Sequence, residues 1–135
     1  LFENDSNRSE VIKFGSNRIF LDAYNANPTS IKAAILNFDK EVTDNKILVL
    51  GDMFELGEYS DKEHQNVIDL IDLENYEKVY LVGSNFYKCN TKNIKIEKFH
   101  SLDEMNKSFN LNDFNSMNIL IKGSRGIGLE KLVNY

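Results

Sequence analysis

Three short apolar runs, Ile47–Leu50, Val79–Val82 and Ile119–Ile121, show no polar alternation, and each meets a glycine within two residues, at Gly51, Gly83 and Gly123. A strand with one face in water alternates polar and apolar positions. A strand that is apolar throughout must be covered on both faces, as in a parallel sheet wrapped by helices. Amphipathic segments fall between the runs. Ile31, Ala34, Ile35 and Phe38 follow the i, i+3, i+4, i+7 spacing of a helix, with Asn27 at its N-cap and Pro28 at its first position. Ser60-Asp61-Lys62-Glu63 and Ser101-Leu102-Asp103-Glu104 have the spacing of capping boxes. The first would open a helix carrying His64, Val67, Ile68 and Ile71, the second one carrying Leu102, Met105 and Phe109. A last helix is expected from about Gly126, burying Leu129, Leu132 and Val133.

Three more strand signals complete the pattern. Val11–Phe14 and Arg18–Asp22 flank Gly15-Ser16-Asn17 and read as a hairpin, while Ile94–Phe99 is mixed and belongs nearer a sheet edge. The predicted fold class is therefore α/β and Rossmann-like: a mostly parallel sheet flanked by helices, with an N-terminal β-hairpin strand pair. The Asn-rich stretches Asn90–Asn93 and Asn110–Asn118 are expected to be mobile surface.

The 135 residues suit one domain with a single core. Sixteen basic against 21 acidic residues give a net charge of −5, which disfavours nucleic acid as a partner. No apolar run is long enough to cross a bilayer, so no membrane association is expected. The lone Cys89 cannot form an internal disulfide, and a cytoplasmic location is the default. The chain opens on Leu1 and a polar stretch, Glu3-Asn4-Asp5-Ser6-Asn7, which reads as a linker within a longer protein.

Ligands of open parallel sheets bind beyond the carboxyl ends of the strands. At those ends stand Asp22-Ala23-Tyr24-Asn25-Ala26-Asn27-Pro28, Gly51-Asp52-Met53-Phe54-Glu55-Leu56-Gly57, Gly83-Ser84-Asn85 and Lys122-Gly123-Ser124-Arg125-Gly126. Taken singly, each glycine is explained by the turn out of its strand. Asn25 and Asn27 serve equally well as turn former and helix cap or as ligand groups. The acidic set Asp52, Glu55, Glu58 and Asp61 reads as a solvated loop rather than a metal site, His64 as a packed residue, and His100 lacks a partner at zinc-ligand spacing. Lys122-Gly123-Ser124-Arg125 is more pointed. It sets a lysine, a hydroxyl and a guanidinium where a buried strand gives way to a helix, an arrangement suited to a carboxylate or phosphate. No G-x-x-x-x-G-K-[ST] occurs, so a triphosphate would have to be held by another domain.

Together, Asp22-Ala-Tyr-Asn-Ala-Asn-Pro28, Gly51-Asp-Met-Phe-Glu-Leu-Gly57 with Ser60 and His64, and Lys122-Gly-Ser-Arg125 resemble the C-terminal domain of the Mur ligases, and within them the member that adds D-Ala-D-Ala. The resemblance implies a linker over residues 1–10 from a missing central ATPase domain and a Rossmann-like C-terminal domain over 11–135. It implies an ATP-dependent, amide-forming ligase of peptidoglycan precursor synthesis that acts on UDP-MurNAc-tripeptide and D-Ala-D-Ala through an acyl phosphate. ATP and Mg²⁺ would be held mainly by the central domain, and the partners would be the enzyme's own central and N-terminal domains. On this fragment, Arg8, Asp22, Asn25 and Asn27 match nucleotide-binding positions, with Asn7 standing where the family has glycine before the arginine. Ser124 and Arg125 match the segment that contacts the incoming amino acid in sister ligases, and Ser84 and Asn85 a further substrate-side loop. No catalytic residue and no metal ligand is implied on this fragment. Two rivals remain at this point. Asp52, Ser84 and Lys122 mimic a phosphoacceptor receiver domain, and the sheet also suits a free-standing nucleotide-binding Rossmann domain.

Overall fold

The computed structural model describes residues 10–22 and 26–133. They form a six-stranded sheet in the order β1-β2-β6-β3-β4-β5. Its strands are β1 (Glu10–Phe14), β2 (Asn17–Asp22), β3 (Lys46–Gly51), β4 (Lys78–Val82), β5 (Ile96–Phe99) and β6 (Asn118–Lys122). Only the β1–β2 hairpin is antiparallel; β2-β6-β3-β4-β5 run parallel. The three apolar runs became the central strands β3, β4 and β6, and the mixed run became the edge strand β5.

Alternation along each strand feeds two cores. Leu48, Leu50, Leu81 and Leu120 pack on one face beneath α1 (Pro28–Glu41) and α2 (Ser60–Leu70). Ile47, Val49, Ile119 and Ile121 pack on the other against Met105, Phe109, Leu129 and Val133. α1 forms as its sequence demands. The Asn27 side chain accepts from Ser30 N, the Ser30 hydroxyl accepts from Asn27 N, Pro28 opens the first turn, and Ile31, Ile35 and Phe38 line the buried stripe. Burying each of these three side chains contributes about 1.5–3 kcal/mol.

Three local expectations are corrected. Ser60 is not an N-cap: a 3₁₀ turn over Gly57–Tyr59 runs straight into α2, placing Ser60 inside the helical path with its hydroxyl 3.3 Å from His64 Nδ1. At α4 (Leu102–Asn106) the Ser101 side chain does accept from Glu104 N, but the Glu104 carboxylate reaches back to His100 N, one residue before the cap. The last helix is replaced by two 3₁₀ segments, Arg125–Ile127 and Leu129–Val133, separated by left-handed Gly128; Leu129 and Val133 are nevertheless buried. The Asn-rich stretches lie largely at the surface, as expected, and are hydrogen-bonded to the rest of the fold. Gln65 exchanges two hydrogen bonds with the Asn90 backbone, Asn17 bonds both Phe114 O and Met117 N, and Asn118 belongs to β6.

Candidate functional site

The connections decide which part of the rim suits a ligand. From β2 the chain crosses by α1, over the β6 position, to β3, and from β3 it continues through α2; these helices cover the first face. From β6 it turns to the 3₁₀ segments on the second face. In open parallel sheets, ligands usually bind at the strand tips where successive connections part to opposite faces. By the strand order that position here is beyond the end of β6, between the ends of β2 and β3.

The register brings the separate motifs to this rim. Asp22 pairs with Lys122 across β2–β6, Leu50 with Lys122 across β3–β6, and Gly51 with Val82 across β3–β4. Lys122 is 2% exposed, and its Nζ lies 3.0 Å from Asp22 Oδ2. The other carboxylate oxygen, Asp22 Oδ1, is buried and has no hydrogen-bond partner among the described residues. A carboxylate paired to a lysine through one oxygen keeps the other as an acceptor, which suits a ligand bearing hydroxyl groups. Lys122 is therefore not the exposed anion-binding group expected from its motif. It is the buried partner of Asp22. The three-residue 3₁₀ turn behind Arg125 also offers no full helix N-terminus for an anion.

Asn27 is half-buried at the start of α1, and Ser124 Oγ donates across a long 3.5 Å to Ala26 O, which links the Asp22–Asn27 segment to the Lys122–Arg125 segment. Arg125 is exposed. Thus Asp22, Asn27, Ser124 and Arg125 share one edge of the sheet. Ser84 and Asn85 open α3 (Ser84–Tyr87) at the end of β4, two strands away along the same rim. Arg8 and Asn25 lie outside the described residues.

The loop after β3 departs from expectation most. Asp52 is 1% exposed, and its carboxylate accepts from Asn85 N and Phe86 N, each at 2.9 Å. Hydrogen bonds to a charged acceptor stabilise by about 1.5–3 kcal/mol each. The contact requires Gly83: its φ is +122°, and a Cβ there would stand 2.2 Å from the Asp52 carboxyl carbon. Both Asp52 oxygens are occupied by backbone and shielded from water, which removes the receiver-domain reading. Glu55 and Glu58 are exposed as expected, and among the described residues no group of three or more His, Cys, Asp or Glu is arranged to hold a metal ion.

His64 is packed, as expected, and it is also bonded through both ring nitrogens. Nε2 accepts from Met53 N at 3.0 Å, which places the proton on Nδ1, 2.7 Å from Ser60 O. The 3.9 Å approach of Nε2 to Asp52 Oδ1 is therefore not an ion pair. The one sequence signal for the buried role of Asp52 was an aspartate placed directly after an unalternating strand, beside a second strand that ends in glycine.

A sheet rim built in this order defines the class. A family model for the Mur ligase, glutamate ligase domain, matches residues 7–125, and the chain belongs to that family of ligase C-terminal domains. Among characterised relatives it is similar to the UDP-N-acetylmuramoyl-tripeptide–D-alanyl-D-alanine ligases of Rickettsia prowazekii (35% identical over 132 residues, 95% of this chain and 29% of that one) and Bacillus subtilis (35% over 139 residues, 93% and 29%). The fold is likewise similar to the MurF ligase of Thermotoga maritima solved with ADP (TM-score 0.75, 25% identity, 93% of this chain and 29% of that one). A MurF structure from Acinetobacter baumannii aligns with a TM-score of 0.71 at 28% identity, over 93% of this chain and 29% of that one. The chain thus spans under a third of the length of these relatives.

Proposed function

We propose that this chain is the C-terminal domain of an ATP-dependent ligase that joins D-Ala-D-Ala to UDP-MurNAc-tripeptide in peptidoglycan precursor synthesis. Residues 1–10 link it to a central ATPase domain that holds the triphosphate and Mg²⁺, and residues 11–135 form the closing domain. In the reaction, ATP phosphorylates the terminal carboxylate of the tripeptide. The amine of the dipeptide then attacks the acyl phosphate, and inorganic phosphate leaves as the amide forms. The protein works in the cytoplasm, where its nucleotide-linked substrate is made.

The roles divide along the rim. Asp22 Oδ1 accepts from the ribose hydroxyls, Arg8 reaches the nucleotide, and Asn25 and Asn27 lie against the adenine. Ser124 and Arg125 hold the carboxylate end of the dipeptide, and Ser84 and Asn85 border it on the β4 side. The domain acts by placement. Holding the amine against the acyl phosphate turns a bimolecular encounter into an intramolecular one, which lowers a barrier by up to about 7–11 kcal/mol. Closure also keeps water from the acyl phosphate.

The observation that carries this reading is the buried Asp22 Oδ1, which has no hydrogen-bond partner among the described residues, on the same edge as Ser124 and Arg125. It is tested with Arg125→Ala in the full-length protein. We expect the KM for D-Ala-D-Ala to rise at least tenfold, with the KM values for ATP and tripeptide within about threefold of the wild type; tenfold corresponds to about 1.4 kcal/mol, the size of one charge-assisted hydrogen bond. Equal damage to all three substrates, or none, would remove Arg125 from the dipeptide site.

A further inference from the structure

One residue joins both segments assigned above to the dipeptide, and it belongs to neither. Asp52 N donates to Val82 O at 3.0 Å, which fixes its backbone against β4. Its carboxylate accepts from Asn85 N and Phe86 N and so holds the first turn of α3, where Ser84 and Asn85 stand. Its carbonyl accepts from Ser124 N at 3.2 Å and so holds the start of the Ser124–Arg125 turn. Met53, the next residue, is tied through its N–H to His64 on α2, and the His64 ring packs edge-on against Phe86 at 4.7 Å.

These contacts exceed what turning the chain out of β3 requires. A glycine turn would achieve that alone. Instead the structure buries a carboxylate, sets its two oxygens on two consecutive backbone N–H groups, and places a positive-φ glycine at residue 83 so that the approach is open. Both oxygens are taken up by those N–H groups, so neither is left to contact a ligand directly. What it supplies is a fixed spacing between residues 84–85 and 124–125.

We infer that Asp52 is a positioning residue for the dipeptide subsite: it locks the two loops that contact D-Ala-D-Ala into one rigid frame without touching the dipeptide itself. This rests on the proposed function, and it adds a residue to which no substrate role has been given. The frame joins the β3–β4–β6 tips, whereas Asp22 and Asn27 are held chiefly by Lys122 and by the α1 cap, with the long 3.5 Å Ser124–Ala26 contact linking the two sets. Loss of the Asp52 contacts should therefore be felt by the dipeptide and not by the nucleotide.

The test is Asp52→Asn in the full-length protein, beside Arg125→Ala. The amide preserves shape but turns one acceptor into a donor facing a backbone N–H. We expect the KM for D-Ala-D-Ala to rise at least tenfold, with the KM for ATP within about threefold and kcat at saturating dipeptide within about threefold. A uniform loss toward all substrates, or an unchanged dipeptide KM while Arg125→Ala raises it, overturns the positioning role alone. An unchanged dipeptide KM in both variants overturns the dipeptide assignment beneath it. A measurement on the wild type covers a variant that does not fold. Hydrogen exchange is compared with and without D-Ala-D-Ala, in the presence of UDP-MurNAc-tripeptide and a non-hydrolysable ATP analogue. Peptides covering 83–87 and 123–127 should gain protection together, and protection of the second without the first overturns the coupling.

Discussion

Lys122 Nζ lies 3.0 Å from Asp22 Oδ2 across the β2–β6 pair, and the lysine is almost wholly withdrawn from solvent. The pair joins the last residue of a hairpin strand to the last residue of a strand 100 positions later in the chain. Phe20 and Leu120 face the α1 side, so Asp22 and Lys122, two residues further on, face it as well. The lysine takes one oxygen of the carboxylate and leaves the other buried, with no hydrogen-bond partner among the described residues.

Replacing Asp22 with Asn keeps the shape and removes the charge that would receive two hydroxyl donors. The KM for ATP should rise about 10–100-fold, the loss expected when one or two hydrogen bonds to a charged acceptor weaken, while the KM for D-Ala-D-Ala changes little. Lys122→Met should damage ATP use similarly and also lower stability by about 3–5 kcal/mol, because it leaves a largely buried carboxylate without its cation. Steady-state kinetics with each substrate varied, together with urea unfolding, separate the two effects. An unaltered ATP dependence in Asp22→Asn would take that residue out of the nucleotide site.

Asn27 carries two roles that one substitution can divide. Its side chain caps α1 through Ser30 N, a contact that Ser also makes, and loss of such a cap costs about 1 kcal/mol. Asn27→Ser should therefore leave the denaturation midpoint close to the wild type, while Asn27→Ala lowers stability by about 1 kcal/mol. If the amide lies against adenine as proposed, Asn27→Ser still raises the KM for ATP severalfold. Kinetics that track stability across the two variants would reduce Asn27 to a cap.

The parts legible in advance were those written locally. Unalternating runs announced the central strands, Asn27-Pro28 announced the start of α1, and the Gly15 turn announced the hairpin, because each signal and its consequence lie within one element. What escaped was written across distance. Asp52 sits among Glu55, Glu58 and Asp61 and has the composition of a solvated loop; its burial depends on Asn85 and Phe86, more than 30 residues away, and on the backbone angle of Gly83. Lys122 was legible as a charge at a strand end but not as the mate of Asp22, since register is a property of the assembled sheet. Ser60 misled because a capping box assumes that a helix starts afresh, and here a 3₁₀ turn feeds it. The terminal helix failed for a local reason: the left-handed Gly128 interrupts it after one turn.

A last prediction concerns the opposite end of the sheet. There the Asp39 carboxylate takes a 2.6 Å hydrogen bond from Lys46 Nζ and a 2.5 Å one from the Tyr76 hydroxyl, and Lys46 lies 4.6 Å from the centre of the Tyr76 ring. Burial first, and then the hydrogen bond to Asp39 with the nearby charges of Asp39 and Asp72, push the Tyr76 phenol far above its ordinary value near 10. The sign follows from counting protons. Above about pH 10 an unfolded tyrosine gives up its proton while the folded one keeps it, so rising pH favours the unfolded chain. The contribution is complete below about pH 10 and is lost above it at about 1.4 kcal/mol per pH unit. Tyr76→Phe should cost about 1 kcal/mol at neutral pH, the value of one hydrogen bond. Its stability should then fall less steeply than that of the wild type between about pH 10 and 12, so that the two curves converge and then cross. Urea midpoints measured across that range test this, and parallel curves would show that the phenol titrates alike in both states.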